Sequence, residues 1–557
     1  MRAEDFARQQ REISISEFFE KNRHLLGYDN KTKALLMIVK EGVDNALDAT
    51  EEAGILPEIY VRVKEVGNEK YEIIIKDNGP GIIKKQIPRI FGKLLYGSKF
   101  HRLKQNRGQQ GIGISAATLY TQLTTGEPLE IVSSTGDGKI HKYRIKINVR
   151  KNEPLIIESG AEEGVEWRGT QLRFLTEGLY REYRQSIPEY VKQTAIANPH
   201  AHIIFDSPGG RTEFNRGADS NPKHPKEIRP HLHGVELGIL ARMLRETKSR
   251  TLVSFLTTEF TKVGRKTAKE ICSKAEIPET RKPISIKDGE ARRLIEVVKT
   301  TKLLKPPTDC LSPLGNDMVK EGMKKELNPE WVYSITRPPE VYRGWPFQVE
   351  VGLAYGGSIG EAKVMRFANR VPLLYQQGDC AITKSVTGID WRRYKLNGKG
   401  IPEEPLAIFV HLVSVWVPFT SESKEAIASY PVIIKEIKLA VQECARKLGL
   451  YLSGKRRHEY RQQRIRTFEK YAEETIRAIS ELSEEEKERV KREFLELINS
   501  NNNISMEDED GGEKEAEGPR EERSQPGREE GEPEDRAARQ VTLERLLRRE
   551  KRPDTDG

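Results

Sequence analysis

Four polar side chains at helical spacing occupy the stretch EGVDNALDA, which begins at Glu41. If residues 32–52 form a helix, these groups share one face, because positions i, i+3, i+4 and i+7 lie on neighbouring turns. They are Glu41, Asp44, Asn45 and Asp48. A carboxylate on such a face could accept a proton from water, beside an amide oxygen that ligates a hard cation. An ordinary amphipathic helix with a solvated acidic side would show the same spacing.

Three further segments carry small residues where a ligand could approach the backbone. YEIIIKDNGPGI has the pattern of a buried strand that delivers Asp77 into a turn containing Gly79 and Gly81. RGQQGIGIS, residues 107–115, suits a flexible phosphate-covering loop that leads into a helix. RGTQLRF opens a strand with a glycine and the hydroxyl of Thr170. Taken singly, each segment also fits an ordinary turn or loop.

In this order, the four segments resemble the motifs of the GHKL ATPases, the superfamily of gyrase B subunits, MutL mismatch-repair proteins, heat-shock chaperones and sensor histidine kinases. The opening stretch matches the ExxxNxxDA motif, and residues 77–81 match the DxGxG motif. Residues 108–113 match the glycine lid, and residues 169–170 match the fourth motif. The resemblance implies an ATP site on a Bergerat-type α/β sandwich, in which helices back a mixed sheet.

The resemblance also implies a role for each matching residue. Glu41 is the general base that polarises the attacking water, and Asn45 binds Mg²⁺. Asp77 reads the adenine amino group, with its water network completed by Thr170. Gly79 and Gly81 make room for the purine, and the remaining residues surround the phosphates: Ser98, Lys99, Gly108, Gln109, Gln110, Gly111, Ile112, Gly113, Ile114 and Ser115.

Composition indicates several packed domains. The 557-residue chain is 36% apolar and 32% charged, and hydrophobic runs recur along most of it. No stretch approaches the ~20 consecutive apolar residues that span a bilayer. The four cysteines lie far apart, without a CxxC pair, which argues against disulfides or a zinc site. We expect a soluble protein with no membrane partner, in the reducing cytoplasm.

The net charge of +9 is unevenly distributed along the chain. Residues 506–557 hold 18 Asp and Glu against 11 Lys and Arg, so the preceding part carries +16. A basic body favours nucleic acid as a partner, although a basic surface without a specific partner would carry the same charge.

Changes of pattern divide the chain into five segments. An ATPase domain with an N-terminal arm is expected over residues 1–228, which end in a linker rich in Gly, Pro and Asn. Apolar spacing predicts a helical domain over 229–307 and a mixed domain with strands over 308–455. A long charged helical segment over 456–503 and a disordered tail over 504–557 follow. The fold class is therefore α+β and multidomain.

The helical segment contains FTKVGRKTAKEI, which resembles the helix-two-turns-helix element of nucleic-acid-binding proteins. Four basic side chains there are available for DNA phosphates: Lys262, Arg265, Lys266 and Lys269. A plain helical hairpin with a basic solvated side is the alternative.

Two stretches of the mixed domain, residues 366–386 and the loop at 417–430, resemble the transducer domain of type II topoisomerases and MutL. By this resemblance, Lys424 contacts the γ-phosphate of ATP from across a domain boundary. A surface lysine without a role is the alternative.

Together these segments resemble the B subunits of type IIB DNA topoisomerases (topoisomerase VI) over about residues 10–500. No segment resembles a toprim or DNA-cleaving tyrosine domain, so the resemblance implies a separate DNA-cleaving A subunit in an A2B2 heterotetramer. ATP would drive two B protomers to dimerise around double-stranded DNA, which would be relaxed and decatenated by strand passage. The arm at residues 13–28 would pack on the opposite protomer or on its own domain, and the helix from about Tyr451 would contact the A subunit.

Two other functions fit the same motifs. A MutL-like ATP-gated repair clamp would lack the helical insert and would end in an interaction or nuclease domain. A scaffold with a vestigial nucleotide site would not need Glu41.

Overall fold

A computed structural model describes residues 12–99, 102–108, 111–164, 166–421 and 423–483, together with 489, 491–493 and 496. The chain divides into two compact units, residues 1–458 and residues 459–557. The second unit contains the C-terminal part of the last helix. The disordered tail predicted at 504–557 lies outside the described residues.

An eight-stranded sheet occupies the N-terminal part of the first unit. Its strands are β1 Glu58–Gly67, β2 Lys70–Asp77, β3 Leu129–Thr135, β4 Lys139–Asn148, β5 Glu153–Glu163, β6 Arg168–Glu177, β7 His202–Ser207 and β8 Gly210–Phe214. The order is β5-β4-β3-β6-β2-β1-β7-β8. Only β1 and β7 pair in parallel within this sheet, as the structure describes it. Alternate residues are buried along the first half of β1, and Val61 lies opposite the buried Ile75 of β2.

Five helices belong to this part: α1 Ile15–Lys21, α2 Lys31–Glu52, α3 Ile87–Gly92, α4 Gly113–Thr125 and α5 Ile187–Ala197. Helix α2 begins where the side chain of Asn30 accepts a hydrogen bond from the backbone N–H of Lys33, at 2.8 Å. Helices α2, α4 and α5 pack against the sheet, and their apolar residues join its core. Helix α1 packs against α4 of its own chain, and Ser16 donates a hydrogen bond to Asn152 at 2.9 Å.

Four helices follow, with a core of their own: α6 Leu237–Glu246, α7 Leu252–Glu259, α8 Arg265–Lys274 and α9 Asp288–Thr300. Their apolar residues recur every three or four positions, so each helix presents one apolar stripe to the others. Phe255 and Phe260 meet edge to face at 5.4 Å in this core.

A second sheet forms the last part of the first unit. Its strands are β9 Trp331–Thr336, β10 Glu340–Tyr342, β11 Trp345–Tyr355, β12 Lys363–Ala368, β13 Val371–Pro372 and β14 Leu406–Ser414. The associated helices are α10 Gly315–Leu327, α11 Ala381–Thr387 and α12 Pro431–Ser483. Every residue of β14 is buried, since separate apolar clusters cover the two faces of this strand.

The two sheet layers contact each other directly within the first unit. Helix α10 packs against α5, and a Cβ atom at Gly322 would lie 2.1 Å from the carbonyl oxygen of Ile196. The side chain of Gln105 bonds to both backbone groups of Ser312, at 2.6 and 3.3 Å. In the part of the chain that the structure describes, no helix is both long and apolar enough to cross a membrane.

Candidate functional site

A cavity of about 520 Å³ lies between α2, the start of α4 and the loop that precedes α12. The residues around it that were predicted from the sequence are Glu41, Asn45, Ser98, Lys99, Gly108, Gly111, Ile112, Gly113, Ile114 and Lys424. Gln109 and Gln110 lie outside the described residues. The structure therefore brings the acid and amide of α2, the glycine lid and the distant lysine to one cavity.

Helix α2 supplies Glu41 and Asn45, one helical turn apart on the cavity wall. The Asn45 amide nitrogen donates to the backbone carbonyl of Glu41 at 2.8 Å. Because this bond fixes the orientation of the amide, the Asn45 side-chain oxygen remains the group available to a ligand.

The Glu41 carboxylate lies against the first residue of α4. A Cβ atom at Gly113 would lie 1.7 Å from Glu41 Oε2 and 2.3 Å from its carboxyl carbon. No side chain fits between the two elements, so the glycine lets the carboxylate reach the N-terminus of α4, where backbone N–H groups favour negative charge.

The other two acids of the opening stretch do not line the cavity. Asp44 accepts a hydrogen bond from the Tyr190 hydroxyl at 3.0 Å, and burial raises the pKa of Asp44 to about 6. Asp48 bonds to Lys99 at 2.5 Å and to Arg107 at 2.8 Å. Burial alone would raise the pKa of Asp48, but these two cations hold it below its usual value. Since Asp44 and Asp48 are only 8% and 7% exposed, the solvated acidic face considered above is wrong.

Asp77 ends β2 and organises the turn that follows it. Its Oδ1 accepts hydrogen bonds from the backbone N–H groups of Gly79 at 2.8 Å and Thr170 at 3.1 Å. Burial raises the pKa of Asp77 to about 6, although these two bonds oppose the shift. Gly81 has a φ of +72°, and a Cβ atom there would lie 1.9 Å from the Ser134 carbonyl oxygen. Packing against β3 thus requires this glycine, whatever ligand approaches it.

Five of the predicted site residues lie outside the lining of the cavity: Asp77, Gly79, Gly81, Ser115 and Thr170. The Ser115 hydroxyl donates to the backbone carbonyl of Ile112 at 3.0 Å, which satisfies it within its own helix. The Thr170 hydroxyl lies 3.1 Å from that of Ser133. The Asp77 turn therefore does not contribute to the cavity lining.

Lys424 reaches the cavity from the loop between β14 and α12. Its backbone φ is +55°, an uncommon value for a residue with a side chain. Among the described residues it has no ion-pair partner within 4.0 Å. Burial lowers the pKa of Lys424, and the charge of Glu41 opposes that shift. The neighbouring Glu425 anchors the loop to α2 through an ion pair with Lys33 at 2.5 Å.

Sequence reasoning missed several residues at the site. Tyr28, Gln86 and Tyr96 also line the cavity. Tyr28 stacks on Tyr120 with ring centroids 5.0 Å apart, and the Tyr96 hydroxyl donates to Gln86 at 2.6 Å. Their residue types carry no signal for phosphate chemistry, because tyrosine and glutamine at such positions are equally compatible with a core or a surface.

A buried ionic cluster behind the cavity was also missed. Arg107 donates to both oxygens of Glu51, at 2.7 and 2.9 Å, and Arg370 donates to Glu51 at 2.8 Å. Burial alone would raise the pKa of Glu51, but the two arginines hold it well below its usual value. Glu51 lies one turn beyond Asp48 on α2, and this spacing was the only available signal.

The basic residues of the helical segment lie apart from the cavity lining. All four are exposed: Lys262 lies at the turn between α7 and α8, and Arg265, Lys266 and Lys269 lie on α8. Lys269 pairs with Glu279 at 3.1 Å. Within the residues that the structure describes, no group of three or more His, Cys, Asp or Glu could hold a metal ion.

Two family descriptions match the chain. Residues 30–151 match the histidine kinase-, DNA gyrase B- and HSP90-like ATPase family. Residues 306–464 match the transducer of the topoisomerase VI B subunit. The ATPase match covers α2, the Asp77 turn and the glycine lid, so this part is an ATP-binding domain of the GHKL type.

Three archaeal B subunits of type 2 DNA topoisomerase 6 match the chain over most of their length. The Archaeoglobus fulgidus protein is 50% identical over 80% of this chain and 75% of its own, and that of Methanosarcina barkeri is 50% identical over 81% and 74%. The Pyrococcus horikoshii protein is 40% identical over 89% of this chain and 96% of its own. These matches support the topoisomerase interpretation over the MutL-like alternative. With its ATPase and transducer domains in this order, the chain belongs to the family of type 2 DNA topoisomerase 6 B subunits.

Proposed function

We propose that this chain binds and hydrolyses ATP to gate the passage of one DNA duplex through another, with DNA cleavage supplied by a separate A subunit in an A2B2 assembly. One observation carries the proposal. Glu41 from the first sheet layer and Lys424 from the second line the same cavity. A nucleotide held by both would couple its phosphate state to the relative position of the two layers.

The lining suits a nucleoside triphosphate. Glu41 is placed to polarise a water molecule, while Lys99, Lys424 and the lid amides of Gly111–Ile114 offer positive charge and N–H groups to phosphates. Asp77, when ionised, would accept from the adenine amino group through its second oxygen, since its two hydrogen bonds from described residues both use Oδ1.

Magnesium fits the same residues. The Asn45 side-chain oxygen is left available by the bond of its nitrogen to Glu41, and Mg²⁺ commonly takes one or two protein oxygens together with phosphates and waters. When bound, Mg²⁺ would neutralise phosphate charge. The protein residues would orient the water at Glu41, hold the phosphates at Lys99 and Lys424, and restrict access through the lid.

The same proposal assigns the remaining parts of the chain. Lys262, Arg265, Lys266 and Lys269 contact DNA phosphates, which the exposure of these side chains permits. The part of α12 beyond Tyr451 contacts the A subunit, and a second B protomer joins when ATP binds. Domain boundaries near residues 228, 307, 455 and 503 accompany this assignment. The four free cysteines fit a cytoplasmic protein.

Glu41→Gln tests the ATPase part of the proposal. The variant should bind ATP in calorimetry but lose turnover, because a neutral amide cannot polarise the water. Glu52→Gln, on the same helix but in an ion pair with Lys104 at 3.0 Å, is the matched control and should keep wild-type turnover. Retained hydrolysis in Glu41→Gln would refute the assignment.

Lys424→Met tests the coupling between the layers. With the A subunit present, this variant should bind ATP and fail to relax supercoiled DNA.

A truncation after residue 450 tests the role given to α12. The truncated chain should bind ATP but lose co-purification with the A subunit, and retained co-purification would contradict that role.

A further inference from the structure

The turn between β12 and β13 contacts the segment that leads into the glycine lid. This turn consists of Asn369 and Arg370, with φ values of +47° and +68°. Two consecutive non-glycine residues in the left-handed region are unfavourable on their own, so the surroundings must hold the turn in place. The Asn369 amide bonds to both the N–H and the carbonyl of Ser414, at 2.9 Å each, and the Arg370 N–H donates to His411 at 2.8 Å.

From this fixed turn, two side chains reach the first sheet layer. The Asn369 amide also donates to the backbone carbonyl of Asn106 at 2.9 Å. The Arg370 guanidinium donates to Glu51 at 2.8 Å. Glu51 in turn holds Arg107, the residue directly before Gly108 of the lid. One contact therefore ends on Asn106, and the other reaches Arg107 through Glu51; these two residues directly precede the lid.

A chain of buried contacts continues from Arg107 to the cavity. Arg107 bonds to Asp48 at 2.8 Å, and Asp48 bonds to the Lys99 ammonium group at 2.5 Å. Lys99 and Gly108 both line the cavity, whereas Arg370, Glu51 and Arg107 do not. Arg370 is 6% exposed, so its contacts are little weakened by solvent.

We propose that Arg370 is a positioning residue for ATP hydrolysis, through which the second sheet layer sets the position of Lys99 and the start of the lid. This inference rests on the proposed ATPase function. It adds a route between the layers that is distinct in its residues from the one through Lys424. Movement of the turn at 369–370 relative to α2 removes Arg370 from Glu51 Oε2, the oxygen that also accepts from Arg107. Arg107 then keeps its bonds to Asp48 and Asn198 but loses a fixed Glu51 partner.

Arg370→Met removes the charged guanidinium group and keeps most of the side-chain volume. The Lys99 ammonium stays in its ion pair with Asp48, and none of the recorded bonds of Asp77 in the described residues involves this cluster. We therefore expect binding of a non-hydrolysable ATP analogue, measured by calorimetry, to change less than threefold. The loss of one buried charge-assisted hydrogen bond should lower kcat by about tenfold to a hundredfold. Arg370→Lys keeps the positive charge but lacks the planar guanidinium group, so its kcat should lie between those of Arg370→Met and the wild type.

Arg184→Met is the matched control. Arg184 also pairs across the two layers, with Glu361 at 2.5 Å, but both side chains are highly exposed. Such surface pairs contribute little, so this variant should keep wild-type kcat.

The outcomes separate this inference from the proposed function. Wild-type kcat in Arg370→Met, or a fall in kcat matched by an equal loss of analogue binding, overturns the positioning role. If Arg370→Met does not fold, Arg370→Lys decides: a lowered kcat with unchanged analogue binding supports the proposal, and wild-type kcat overturns it. Absent ATPase activity in the wild-type chain, or turnover in Glu41→Gln, would instead overturn the proposed function.

Discussion

Gly113→Ala should separate the fold of the protein from its chemistry. Gly113 is the first residue of α4, and its φ is not in the left-handed region, so alanine is compatible with the backbone and favours a helix. The added Cβ atom would lie 1.7 Å from Glu41 Oε2, well inside the 3.0 Å below which real Cβ contacts essentially do not occur. The carboxylate must therefore move by roughly 1.3 Å or more.

The expected cost follows from that displacement. The carboxylate is at the end of the flexible Glu41 side chain, so it can move without unfolding the core. The melting temperature of the variant should therefore stay close to that of the wild type. A misplacement of about 1 Å at a reacting group costs on the order of 100-fold in rate. We therefore expect kcat for ATP hydrolysis to fall by about two orders of magnitude, with little change in ATP affinity.

Gly289→Ala, in the first turn of α9, is the matched control. A Cβ atom at Gly289 would meet nothing within 4 Å, and this residue does not line the cavity. Steady-state ATPase assays and calorimetry on both variants measure the difference. A Gly113→Ala protein that turns over within threefold of the wild type would refute the claim that Glu41 acts from the position seen here.

Three further predictions concern pH and DNA. Burial raises the pKa of Asp77 to about 6; if the ionised carboxylate accepts from adenine, ATP affinity in calorimetry should increase as the pH rises through 6, and Asp77→Asn should bind weakly with no such dependence. Burial lowers the pKa of His411 below the ordinary 6.5, so the unfolded chain binds the proton more tightly and the free energy of unfolding should fall as the pH drops below about 6.5. In denaturant titrations at a series of pH values, the free energy of unfolding should depend less steeply on pH in His411→Gln, by at most about 1.4 kcal/mol per pH unit. An unchanged pH dependence would contradict the lowered pKa of His411. Arg265→Gln with Lys266→Gln should weaken DNA binding and reduce its salt dependence, whereas Lys64→Gln, an exposed lysine of β1, should leave both unchanged.

The cavity lining could be predicted where its residues are close in sequence. Glu41 and Asn45 are one helical turn apart, and the spacing on α2 follows from helix geometry alone. The lid glycines are consecutive with the helix they lead into. Lys424 is far from both in sequence, and only the family resemblance led to it.

The ionic cluster could not be predicted for a physical reason. Glu51 and Arg370 are 319 positions apart, and no periodicity connects a turn of the second sheet to the end of α2. The sequence also allowed a solvated face on α2, because a pattern of acids does not reveal that Arg107, Lys99 and Tyr190 cover it. Helical spacing alone predicts that Asp44 shares a face with Glu41. In the structure, the Asp44 carboxylate instead accepts a hydrogen bond from Tyr190 of α5 and does not line the cavity.

The contact between Gly322 and Ile196 restricts how the two sheet layers can move. A Cβ atom at Gly322 would lie 2.1 Å from the Ile196 carbonyl oxygen. The backbones of α10 and α5 are therefore in direct contact at this point, with no side chain between them. Helices in such close contact cannot slide past each other freely, so a tilt about the point of contact is the displacement of lowest energy. This point would then act as a fulcrum, and displacements would grow with distance from it.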